Sequence, residues 1–304
     1  MLPLTRALFA LWFTVASTSC ARDASPSAAG NGSVWVVESP TTKVYLCGTI
    51  HLLRSRDYPL PAAYDVAYAD SQRLVFELPP GTAEDAGLAQ KMRAAGSYPK
   101  GTALSDSVTP KCWQALTDWC AKRGQAAVNY NSYRPWFVAL NVTAAEYTAV
   151  GAESDRGVDS FFEAKAKHDG KAGAGLETVD FQIGLFANLS EAAQQELLEQ
   201  TLDEVKRVPE EFEKMITAWR TGDVEALHQM LFEEAKEHPE LLDLFLVKRN
   251  QSWIAPLEAY LRGTEHVMVL VGTGHLGGES GVMQLLKAKG YTVRKVEAVA
   301  TDKP

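Results

Sequence analysis

Two apolar runs near opposite ends of the chain close in the same way, and together they constrain the fold more than any other feature. Val44-Tyr45-Leu46-Cys47 leads through Gly48-Thr49-Ile50 to His51, and Val267-Met268-Val269-Leu270-Val271 leads through Gly272-Thr273-Gly274 to His275. Each reads as a buried strand whose C-terminal end delivers a histidine, with a glycine three residues before it. Open α/β sheets place their ligand sites at the C-terminal ends of strands. Two histidines arriving in this way, more than two hundred residues apart, point to one shared site.

The pattern between them supports an α/β fold: a central mixed sheet built from N- and C-terminal strands, with a mainly helical middle inserted as a cap or wall. Ser33–Glu38 and Lys43–Thr49 read as a hairpin turned by Ser39-Pro40-Thr41-Thr42. Pro61–Ser71 reads as a helix, and Arg73–Leu78 as a short strand cut off by Pro79-Pro80. Thr109-Pro110 is an N-cap followed by a first-turn proline. Helices are expected over Pro135–Val150, Val158–His168, Glu191–Arg207, Pro209–Trp219, Val224–Glu237 and Glu240–Leu261. Strand signal returns at Lys171–Leu176, Val267–Val271 and Tyr291–Glu297, with a helix over Gly281–Lys289 completing a compact β-α-β unit.

The N-terminus reads as a targeting segment. Arg6 precedes the apolar stretch Ala7–Ala16 and the small residues Ser17-Thr18-Ser19 before Cys20, the layout of a secretory signal over residues 1–20. It resembles a bacterial lipobox with Cys20 as the lipidated residue; plain secretion after cleavage at Ser19 or Ala21 is the alternative. Residues 21–32 read as a flexible tether, and 33–299 as a single domain. An exported protein is therefore expected, periplasmic or lipid-anchored to the outer membrane, touching a membrane only through that lipid. A net charge of −8 argues against nucleic acid as a partner. Cys112 and Cys120, eight apart on an expected helix, would lie about 12 Å apart, too far for a disulfide. Free buried thiols are expected there, and Cys47 is read as packing.

His51 and His275 lead the candidates for chemistry, because neutral imidazole serves both as metal ligand and as general base. Glu77 stands in the apolar strand Leu74-Val75-Phe76-Glu77-Leu78, where an unpaired carboxylate would be costly to bury. It either reaches solvent at the strand end or faces the two histidines, and two His with one Glu make a workable metal set. Glu177 closes the strand Ala172–Leu176; a helix-start acid is the alternative. Arg249, beside Asn250 and Trp253, is read as binding a carboxylate or an oxyanion, or as a surface ion pair. His168, His228, His238 and His266 lie on polar stretches and are read as solvated. No Gly-x-Ser-x-Gly elbow, P-loop, dinucleotide fingerprint or His-Glu-x-x-His occurs.

In its ordered motifs the chain resembles the TraB/GumN family, bacterial relatives of Tiki-type proteases. The matching stretches are Tyr45–His51, Leu74–Leu78, Gly157-Val158-Asp159, Gly175–Thr178 with Gln182, Arg249-Asn250 with Trp253, and Val271–Leu276 running into Gly290–Val293. The resemblance implies a fold shared with erythromycin esterase-like and haem-binding ChaN-like proteins, with His51, Glu77 and His275 together. In Tiki-type members such motifs belong to a metal-dependent protease, with manganese or cobalt as the usual ions. In esterase-like relatives the equivalent groups serve hydrolysis without an obvious metal, one histidine acting as base.

The first expectation is accordingly a metal-dependent hydrolase, a peptidase acting on a peptide or small molecule. His51, Glu77 and His275 would hold a divalent ion (manganese or cobalt, with zinc as an alternative). Glu177 would hold the water or act as base, and Arg249 would steady the oxyanion or a substrate carboxylate. The second is a metal-free hydrolase with His51 as base and Glu77 as its orienter. The third is a non-enzymatic peptide- or haem-binding protein.

Overall fold

The computed structural model describes residues 31–82, 84–232 and 239–297. The expected signal segment, Cys20 and the tether up to residue 30 lie outside them, as does His238. The last part of the expected tether already belongs to the fold. Gly32 donates its N–H to the Arg220 carbonyl at 3.0 Å, and Ser33 is fully buried with its hydroxyl on the Trp219 carbonyl.

Six strands form one mixed sheet: β1 (Val34–Glu38), β2 (Lys43–Thr49), β3 (Arg73–Phe76), β4 (Ala172–Gly175), β5 (Val267–Gly272) and β6 (Val293–Lys295). Their spatial order is β4-β3-β5-β2-β1-β6. β5, the second strand to deliver a histidine, is inserted between β3 and β2 and runs parallel to both. β4 joins β3 in parallel, while β1 pairs antiparallel with β2 and with β6. The register sets Thr49 opposite Gly272, and Phe76 opposite both Leu270 and Gly175. Four parallel strands therefore end at one edge, and the residues just beyond them are, in order, Glu177, Glu77, His275 and His51.

Helices cover both faces. On one, α1 (Ala62–Asp70), α6 (Val158–Asp169) and α9 (Val208–Thr221) bury Tyr64, Phe162 and Phe212 against Cys47, Leu74 and Leu270. On the other, α12 (Lys248–Leu261) and α13 (Val282–Ala288) bury Trp253, Leu257 and Leu286 against Leu46, Val75 and Val269. A third core is all-helical, joining α4 (Pro110–Ala121), α5 (Pro135–Ala149), α7 (Val179–Ala187) and α8 (Glu191–Glu204) through Leu116, Trp136, Phe186 and Leu197. Shorter or peripheral helices among the described residues are α2 (Ala86–Gly96), α3 (Leu104–Ser107), α10 (Val224–Phe232) and α11 (Pro239–Leu242). The expected sheet and helical middle are both present, and Cys47, Cys112 and Cys120 are free and buried. None of the described helices is long and apolar enough to cross a membrane.

Several expected elements differ in detail. Glu191–Arg207 ends as α-helix at Glu204 and closes in a 3₁₀ turn, Val205–Arg207. Glu240–Leu261 is not one α-helix: Asp243–Val247 is a π-helical turn, with Lys248 N–H bonded to the Asp243 carbonyl. The last strand spans only Val293–Lys295, and β5 and β6 are separated by β2 and β1, so the terminal β-α-β unit is a wide crossover.

Candidate functional site

Glu77 follows β3 by one residue, and the pairing of β3 with β5 brings it level with the second Gly-x-x-His segment. Its Oε1 accepts the Gly272 N–H at 2.7 Å. Glu177 stands one strand further out, where its N–H bonds the Glu77 carbonyl at 2.8 Å. Thr178 caps α7, so the helix starts immediately after Glu177 and carries Gln182 back over the sheet edge. Gln182 Nε2 then donates to Glu177 Oε2 at 3.0 Å and to Glu77 Oε2 at 3.4 Å. Both carboxylates are buried, against the strand-end solvent exposure that was the simpler reading of Glu77.

Arg249 neutralises them. It is fully buried, and each of its five N–H groups has an acceptor. Nε donates to Glu177 Oε1 at 2.8 Å, and Nη2 donates to Glu77 Oε2 at 2.6 Å and Glu177 Oε2 at 2.9 Å. Nη1 donates to His275 Nε2 at 3.0 Å and to the Phe245 carbonyl at 3.4 Å, a carbonyl within the π turn. Burial opposes the guanidinium charge, but Glu77 and Glu177 outweigh it and hold the Arg249 pKa above its ordinary value. The surface ion pair considered for Arg249 is thereby replaced by a buried one. In this arrangement every N–H of Arg249 is engaged within the protein.

His275 is fully buried beneath the same arginine. Since Nε2 accepts from Arg249, Nδ1 carries the proton and donates to Asn250 Oδ1 at 2.6 Å. The Asn250 amide is fixed in turn by the Ser280 carbonyl at 2.8 Å. Trp253 packs its ring 4.6 Å from the imidazole and donates its indole N–H to Glu177 Oε1 at 3.0 Å. Burial first, then the positive charge of Arg249, pushes the His275 pKa well below the ordinary imidazole value, so the ring is neutral.

His51 stands outside this closed network. Its side chain is 13% exposed, and Nδ1 lies 2.8 Å from Asp159 Oδ1 in the first turn of α6. It is near enough to His275 for its charge to act there. The two Gly-x-x-His segments touch directly. A Cβ on Gly48 would lie 2.6 Å from Thr273 Oγ1, and that hydroxyl donates to the Thr49 carbonyl at 2.9 Å.

The site thus unites His51, Glu77, Glu177, Arg249 and His275 along one sheet edge. As arranged, Glu77 and His275 do not fit the expected metal set. Both oxygens of Glu77 accept N–H groups, His275 Nε2 accepts from Arg249, and His275 Nδ1 bears a proton. His51 Nδ1 faces Asp159, while the Glu77 oxygens accept from Gly272, Arg249 and Gln182.

A family model described as TraB/PrgY/gumN matches residues 33–295. The chain belongs to the TraB/PrgY/gumN family. Among curated proteins it is similar to the uncharacterized protein YbaP of Escherichia coli (strain K12) and of Shigella flexneri. Each is 22% identical over 243 residues, covering 80% of this chain and 87% of the relative. No solved structure matches.

In this TraB/PrgY/gumN member, Asp159, Gln182, Asn250 and Trp253 join the site although their sequence context carried only a resemblance. An acid in a helix's first turn, or an Asn beside an Arg, has an ordinary explanation in sequence. His228 is corrected from a solvated residue: it is half-buried, lies 3.4 Å from the Gly274 carbonyl and packs on Phe232. His266 is likewise half-buried, 3.1 Å from Asp70, whereas His168 is exposed as expected. Beside the loop after His275 lies a polar cleft of about 530 Å³, lined by Glu225, His228, Gln229, Leu246, Ser280 and Gln284.

Proposed function

We propose that this protein is a hydrolase in which His51 acts as general base, cleaving an ester or amide bond in a peptide or small molecule without a metal ion. The observation that carries the reading is the division of the sheet edge into two parts. Glu77, Glu177, Arg249 and His275 satisfy one another in a closed, buried network, while His51, on the same edge, is partly exposed and has the Asp159 carboxylate on its Nδ1. His51 takes a proton from water as the oxygen attacks the scissile carbonyl, and returns it to the leaving group. The buried network holds the ends of β3, β4 and β5 fixed, and Thr273 ties the end of β5 to Thr49, two residues before His51, so that His51 meets substrate in one geometry. The cleft beside His228 has a volume suited to a peptide side chain or a small ligand. As part of the proposal, residues 1–20 direct export, and Cys20 anchors the chain to the outer membrane.

The test is turnover of a panel of activated esters and short peptides by the wild type and by His51→Gln. The variant is expected to lose on the order of 10²- to 10⁴-fold in kcat. Equal turnover by the two proteins would remove His51 from the chemistry. A divalent ion held by His51, Glu77 and His275, with manganese or cobalt as first candidates, is the competing proposal. It requires Arg249 to give up two of its partners.

A further inference from the structure

The stretch Gly157-Val158-Asp159 carries part of the family resemblance but has no role in the buried network, and its geometry gives it one. Gly157 sits directly on the backbone of His51. A Cβ there would lie 2.3 Å from the His51 carbonyl oxygen and 2.7 Å from its carbonyl carbon, a distance real side chains do not reach. Its φ of −54° is open to any residue, so the close approach, not the dihedral, requires glycine. The next residue fastens the contact, Val158 N–H donating to the Ile50 carbonyl at 3.0 Å. The residue after that is Asp159, whose carboxylate meets His51 Nδ1 at 2.8 Å. Three consecutive residues thus dock α6 on the first Gly-x-x-His segment, clamp it, and place a carboxylate on one particular ring nitrogen.

We propose that Asp159 is the positioning residue for His51. A carboxylate only accepts, so it holds the proton on Nδ1 and makes Nε2 the accepting nitrogen of the ring, the one that would take a proton from water. This deepens the hydrolase reading and rests on it for its catalytic meaning, but the tautomer is a property of the protein without substrate. The ordinary alternative is an acid that serves the α6 dipole alone, in which case Asp159 does not set the tautomer of the ring.

The experiment is a two-bond ¹H–¹⁵N spectrum of histidine-labelled protein at about pH 8, above the ordinary imidazole range, with His51→Gln identifying the His51 signals. In the wild type the Nδ1–H form should exceed the Nε2–H form by about tenfold or more, as a charged acceptor requires. In Asp159→Ala that excess should collapse. If substrate is turned over, kcat should fall on the order of tenfold or more, with KM little changed. An Nε2–H tautomer in the wild type would overturn the proposal without any variant having to fold, as would an unchanged tautomer in folded Asp159→Ala. Loss of the hydrolase reading would instead appear as absent turnover with the Nδ1–H tautomer intact.

Discussion

Arg249 shows how one residue organises the sheet edge. Its five N–H groups end on two carboxylates, an imidazole and a main-chain oxygen, and removing it leaves Glu77 and Glu177 buried without their cation. Arg249→Met should therefore cost about 3–5 kcal/mol in denaturant unfolding, the range for breaking a buried ion pair from one side. Arg249→Lys should recover only part of this, because an ammonium has three donors and no planar fork. His275 makes the site sensitive to acid. Its folded pKa lies below its unfolded value, so between the two the unfolded chain binds the extra proton and stability falls with falling pH. The contribution is complete above about pH 6.5 and is lost as pH drops below it. Melting temperatures between pH 8 and pH 5 should show this decline, and it should be shallower in a folded His275→Gln variant.

Among the elements, the strands were the most legible in sequence and the helix ends the least. Val267–Val271 and Val44–Thr49 announce themselves as buried strands, and Glu77 is conspicuous as a carboxylate among apolar neighbours. Which partner that carboxylate meets was not readable, because it depends on β5 being inserted between β3 and β2 across about two hundred residues of chain. The π turn at Asp243–Val247 was equally hidden. It lies inside a pattern that reads as continuous helix, yet it supplies the Phe245 carbonyl that receives Arg249. Asp159 was masked by its position, since an acid in a first helical turn needs no further reason. The docking of α6 provides a test at this scale. Gly157→Ala must push α6 away from the His51 backbone, and a destabilisation of about 1–3 kcal/mol is expected in thermal or denaturant unfolding. Turnover should fall with it, because the shift carries Asp159 off His51.

At the scale of the whole molecule, the site sits where the two helical layers meet the end of one sheet. Asp159 comes from the layer on one face and Arg249 from the layer on the other, while His51, Glu77, Glu177 and His275 come from the edge between them. The all-helical core reaches this edge through α7, which carries Gln182, and through Phe245, whose carbonyl receives Arg249; stability lost at Leu197, on α8, should be separable from the site's chemistry. Leu197→Ala, at a fully buried position in that core, is expected to cost about 2–5 kcal/mol in unfolding while leaving turnover by the folded protein unchanged. The central claim, that His51 works beside a buried guanidinium and not beside a metal ion, is tested most directly by elemental analysis of the purified protein, paired with turnover before and after exhaustive chelation. Substoichiometric metal and unchanged turnover are predicted. One equivalent of divalent metal per chain, with turnover lost on its removal and restored on its return, would contradict the account.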